Sequence, residues 1–158
     1  MDAPRRFATT TALVVLIGFG HAVATWPPDA VVALFGGGAV LAFALEAVGI
    51  VAGLFRHEMR PQVLGVPLVV VGAWPATVYL AYRVALLGLS PGVPAAAGAA
   101  AIATAIDLPL EVRAVEAGVW SYPEHPLSAV RIRGVPLWNA VGWLVIVFVT
   151  AMLPTLLG

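Results

Sequence analysis

The chain has 158 residues, 61% of them hydrophobic and only 10% charged, with a mean hydropathy of +1.00. A soluble domain is nearer half apolar and a quarter charged, so this composition reads as an integral membrane protein. Eight basic and eight acidic side chains cancel, which points to no nucleic-acid partner, and the absence of cysteine excludes disulfides and thiolate metal sites.

Five apolar runs, roughly 7–24, 30–55, 64–87, 94–110 and 134–157, approach the ~20 residues that cross a bilayer as a helix. Arg5 and Arg6 precede the first run as in a signal peptide, but the runs that follow mark it as a retained span. "TWPPD" separates the first and second runs, "RHEMRPQ" the second and third, and "LSPGVP" the third and fourth. The fourth run is short and rich in alanine. Pro109 is expected to kink it or mark its end. The segment 111–133 is polar enough to lie at the surface or to form an interfacial helix, with Glu111 at the interface pairing with Arg113. An inside N-terminus puts Arg5, Arg6, Arg56, Arg60, Arg113, Arg131 and Arg133 on the cytoplasmic side and only Arg83 outside. The expected fold is an all-α, polytopic bundle of about five transmembrane helices in the cell membrane, one integral domain over residues 1–158.

The chain repeats itself. At an offset of 69, Gly65-Val66-Pro67-Leu68 meets Gly134-Val135-Pro136-Leu137, Trp74 meets Trp143, and Gly49 meets Gly118. Both copies run in the same direction, so helices two and three are related to helices four and five as a parallel repeat. Each GVPL reads as a helix start, with proline in the first turn where its missing N–H costs nothing.

Three polar side chains fall inside apolar runs. Glu46 lies in "LAFALEAVGIVAG", where an ionised carboxylate costs at least ~2.5 kcal/mol unless it faces protein or water. Gly38, Ala42, Gly49 and Gly53 lie on or near its face and allow another helix to approach. Asp107 lies in the fourth run, with Thr104 and Glu111 on its face. Asn139 lies just inside the fifth, one turn before Trp143. All three belong to the same half of the bilayer on different helices, with Trp74 and Trp143 near in depth. They outline a mostly apolar cavity, acidic at one end and walled by aromatic rings. The histidines His21, His57 and His125 carry no metal-ligand spacing, and no metal is assigned.

The stretches "FALEAVGIVAG", "LGVPLVVVGAW", "AIDLPLEVRAVEAGVWSY" and "RGVPLWNAVGWL" resemble the membrane carotenoid biosynthesis family of CruF-type carotenoid 1',2'-hydratases, which includes bisanhydrobacterioruberin hydratase. The matching positions are Glu46, Gly49, Gly53, Gly65, Pro67, Trp74, Asp107, Gly118, Trp120, Gly134, Pro136, Asn139, Gly142 and Trp143. The loop "LFRHEMRP" lacks the family's tyrosine. The resemblance implies addition of water to a terminal isopropylidene of a linear carotenoid, with no cofactor. It implies Glu46, Asp107 and Asn139 as catalytic residues, and Trp74, Trp143, Trp120, Gly49 and Gly53 against the substrate. The chemistry asks for a buried carboxyl as proton donor, for which Glu46 is preferred on depth, and for aromatic faces to stabilise a tertiary cation. Expected partners are the lipid bilayer, the carotenoid, and a second copy of the chain or other carotenoid enzymes. The alternatives are a non-catalytic carotenoid-binding or scaffold subunit and a small transporter component.

Overall fold

A computed structural model of the chain describes residues 2–157. Five helices among the described residues are long and apolar enough to cross a membrane: α1 (Ala3–Thr25), α2 (Pro28–Val51), α3 (Leu68–Ala85), α4 (Val93–Glu116) and α5 (Leu137–Leu157). Local chemistry sets their ends. The Asp2 carboxylate caps α1 by accepting from the Arg5 N–H at 3.0 Å, and Pro27-Pro28 separates α1 from α2. Helix α2 widens into a π-turn over Val32–Gly37. Helix α4 runs through Pro109 to Glu116, so that proline neither ends the helix nor starts an interfacial segment. Within a bundle, neighbouring groups satisfy the carbonyl that proline frees.

The ends of α2 and α4 and the starts of α3 and α5 meet in a small β-layer at one face of the bundle. Its strands are β1 (Arg56–His57), β2 (Gln62–Val63), β3 (Val66–Pro67), β4 (Trp120–Ser121), β5 (Arg131–Ile132) and β6 (Val135–Pro136). Strand β1 pairs with β4, β2 with β3 and β5 with β6, all antiparallel. The segment 111–133 therefore finishes a helix and folds into strands and a short 3-10 turn at Pro126–Ser128, instead of an interfacial helix.

This layer explains the doubled GVPL. Each copy is the tip and second strand of a two-residue hairpin, not the first turn of a helix. Leu64 and Gly65 have φ of 52° and 81°, and Arg133 and Gly134 have 49° and 88°. Positive φ at both central residues is the type I′ pattern, which matches the twist of the flanking strands. The helix then starts at the leucine, whose N–H is taken by a carbonyl ahead of the hairpin: Leu68 by Pro61 at 3.0 Å, Leu137 by Val130 at 2.9 Å.

The helix ends repeat too, but at an offset of 65. Gly53 (φ 74°) and Gly118 (φ 68°) are the left-handed residues that close α2 and α4. The N–H of Gly53 reaches the Ile50 carbonyl and that of Leu54 reaches Gly49; Gly118 reaches Val115 and Val119 reaches Ala114. This is the same Schellman closure twice. Gly118 is thus the counterpart of Gly53, not of Gly49, and the second unit carries four extra residues before its hairpin. In the β1–β4 pair, Arg56 faces Ser121, its own counterpart at this offset, so a local two-fold axis passes through the pair.

Small residues draw the helices together. Helix α3 packs against the other four. A Cβ on Gly38 would lie 3.0 Å from both Pro75 and Thr150, and one on Gly18 3.3 Å from Ala76. The alanines of α4 at 95, 96, 99, 100 and 103 are buried in the main core with Tyr79, Tyr82 and Val147. The alanine-rich composition of the fourth run is a packing surface.

Candidate functional site

Beneath the β-layer, the helices line a half-open chamber of about 770 Å³ with mostly apolar walls. That volume lies within the range of small-molecule sites. Glu46 on α2, Trp74 on α3, Asp107 on α4, Asn139 and Trp143 on α5, and Trp120 on β4 all line it. The sequence therefore singles out six side chains that tertiary structure gathers around one space.

The two remaining glycines are not on its wall. Gly49 is buried on α2, and its missing side chain makes room for the Phe55 ring. Gly53 closes α2 with a positive φ and has open space around it. Both act through the backbone, in positions separate from any contact with a ligand in the chamber.

The offset of 65 organises the polar wall. Glu46 corresponds to Glu111, and His57 to Tyr122. Each pair is joined: the His57 imidazole bonds Glu46 Oε2 through Nε2 at 2.7 Å, and the Tyr122 hydroxyl donates to Glu111 Oε2 at 2.8 Å. Glu111 also accepts from the Trp120 indole N–H at 2.8 Å. It is therefore a chamber residue held by two donors, and not an interfacial acid paired with Arg113. Burial, followed by the charge of Glu111 and the bond to it, pushes the Tyr122 phenol well above its ordinary value, so the hydroxyl stays a donor.

The tryptophans obey the same two-fold relation at their own offset. The rings of Trp74 and Trp143 approach each other with centroids 5.1 Å apart at 53°. They form one aromatic wall from both units. An aromatic cluster of Phe55, Tyr122 and Trp138 backs the acids, with Phe55 stacked on Trp138 at 6.4 Å and edge-on to His57 at 5.5 Å.

The two units differ around the chamber, with Tyr122 in place of His57, Trp120 in place of Phe55, and polar side chains in place of apolar ones. Asp107 stands where the first unit has Ala42, and Asn139 where it has Val70. Hydrogen bonding is incomplete at these two residues, as it is at His57 Nδ1 in the first unit. Asp107 Oδ2, Asn139 Nδ2 and Trp143 Nε1 on the chamber wall, and Thr104 Oγ1 off it, are buried atoms without a hydrogen-bond partner among the described residues. The Trp143 N–H approaches the Asp107 carboxyl, yet no hydrogen bond closes between them. Buried polar groups normally find partners, so unpaired groups clustered in a chamber suit a polar ligand atom.

Sequence reasoning missed Glu111, His57 and Tyr122 as members of the site. The signal was present: Glu46 and His57 are eleven residues apart, as are Glu111 and Tyr122. An alignment on GVPL hides it, because the four extra residues of the second unit shift everything before the hairpin. Comparison with known protein families, curated proteins and solved structures finds no match to this chain, so its place rests on its own geometry.

Proposed function

We propose that the chain adds water to the terminal double bond of a linear carotenoid, as its resemblance to the carotenoid hydratases implies, with the polyene end held in the chamber. The observation that carries the reading is Asp107. Its carboxyl lies in an apolar space, has an unpartnered oxygen, and neighbours an aromatic wall and an amide.

Hydration of an unactivated alkene begins with a proton delivered to the less substituted carbon. The donor must hold its proton at rest. Among the three chamber carboxyls, Glu46 is engaged by an imidazole and Glu111 by two hydrogen-bond donors, so both already spend an oxygen on a protein partner. Asp107 has no such partner. It is therefore the preferred acid in place of Glu46, whose depth alone favours it in the sequence. Protonation leaves a tertiary cation, and the faces of Trp74 and Trp143 stabilise it by ~2 kcal/mol where water is excluded. Asn139 orients the water that captures the cation. The arginine-rich β-layer faces the cytoplasm, and the polyene tail extends among the lipids of the cell membrane.

The test is expression in cells that accumulate an unhydrated linear carotenoid, followed by pigment mass analysis. The expected product is heavier by one water, and Asp107→Asn lowers its yield ~100-fold or more, the usual worth of a general acid. Full hydration by Asp107→Asn refutes the acid assignment. Carotenoid that co-purifies with the wild-type protein but never gains water identifies a non-catalytic binding subunit.

A further inference from the structure

The two acid pairs are equivalent in position but not in chemistry. Tyr122 commits its single O–H to Glu111 and has no second titrating atom. His57 is different. Its side chain is 7% exposed, one ring nitrogen is bonded to Glu46, and the other, Nδ1, is buried without a partner among the described residues. Both His57 and Glu46 line the chamber. An imidazole that donates one N–H to a carboxylate presents a lone pair at its other nitrogen, and the carboxylate stabilises the imidazolium that forms when this nitrogen takes a proton.

We propose that His57 is the catalytic base of the chamber and Glu46 its positioning residue, an inference that rests on the hydration reading above. Asp107 gives its proton to the terminal alkene carbon, and the alkene π pair becomes the new C–H bond. A water oxygen lone pair then forms the C–O bond to the tertiary cation. His57 Nδ1 takes one proton from the resulting oxonium, which leaves the tertiary alcohol. The imidazolium proton returns through solvent exchange as Asp107 regains its own, so the balance is one alkene and one water consumed per alcohol formed.

This division of labour separates protonation from water capture, and the two can be read independently. Membranes holding the wild type or a variant are incubated in D₂O with the linear carotenoid, and the hydrated product and the deuterium in recovered substrate are both measured. In His57→Gln the glutamine keeps a hydrogen-bonding group beside Glu46 but is not a base. Its hydrated product is expected to fall ~100-fold. The recovered carotenoid still gains deuterium at its terminus, because the cation formed by Asp107 loses a proton back to Asp107. Glu46→Gln, which retains His57, lowers kcat and leaves KM unchanged. Asp107→Asn abolishes both hydration and deuterium uptake. Hydration at the wild-type rate in His57→Gln, or joint loss of hydration and deuterium uptake in that variant, overturns the proposal. So does a rise in KM with unchanged kcat in Glu46→Gln, which decides the matter if His57→Gln does not accumulate. A wild type that neither hydrates nor exchanges marks failure of the hydration reading itself.

Discussion

Gly49→Ala reports how tightly the helix α2 backbone is coupled to the acid pair. A Cβ built on Gly49 would lie 2.4 Å from Cε1 and 2.5 Å from Cζ of Phe55. That is about 1 Å inside ordinary carbon contact. The ring cannot simply step aside, because it is edge-on to His57 at 5.5 Å and stacked on Trp138 at 6.4 Å. Overpacking of this kind costs about 1–3 kcal/mol. Alanine recovers about 1 kcal/mol over glycine in a helix interior. The net expectation is a loss of up to ~2 kcal/mol. In a Phe55→Leu background the clash is gone, and Gly49→Ala should stabilise by up to ~1 kcal/mol. Reversible unfolding in mixed micelles of the wild type, both single variants and the double variant measures the coupling. Because Phe55 packs edge-on to His57, Gly49→Ala should also lower the proposed hydration at temperatures where the protein is fully folded. The same effect of Gly49→Ala in both backgrounds would refute the packing argument.

Three other outcomes follow from the same geometry. Tyr122 keeps its proton in the folded protein past the pH at which an exposed phenol ionises, near 10. Above that pH the unfolded chain binds fewer protons than the folded one, so stability falls as pH rises, and Tyr122→Phe should remove this part of the slope in alkaline unfolding curves. Gly118→Ala should destabilise by about 1 kcal/mol because an L side chain is disfavoured at its φ of 68°; Gly53→Ala should match it, and unequal effects by thermal unfolding would count against the shared closure. Trp74→Leu and Trp143→Leu should each lower the proposed hydration with little change in the membrane abundance of the protein. The double variant should lose less than the sum of the two in logarithmic rate, since the rings act as one wall.

The repeat changes how the site is understood. Two helix–hairpin–helix units supply equivalent acids, Glu46 and Glu111, and equivalent tryptophans, Trp74 and Trp143. The unmatched residues then give the chamber direction. Asp107 and Asn139 place unsatisfied polar atoms on the second unit where the first carries apolar Ala42 and Val70, and the first unit's own unsatisfied atom is the basic Nδ1 of His57. A ligand with one polar or reactive end has one favoured orientation in such a space, which a symmetric chamber would not impose.

Hydropathy is enough to read the number of membrane-spanning helices, because the bilayer permits few backbone solutions and each needs a long apolar run. The sequence also singled out Glu46, Asp107 and Asn139, because a polar group amid apolar neighbours must be satisfied somewhere. It could not read the β-layer, whose strands are two residues long and carry no periodic signal. It also could not tell that Glu111 turns inward while Gly49 and Gly53 serve the backbone. Those outcomes depend on contacts between segments far apart in the chain, such as β1 with β4, which bring His57 and Trp120 beside the two acids. Local pattern determines which face of a helix is polar, but only the packing of one helix against another decides what that face meets.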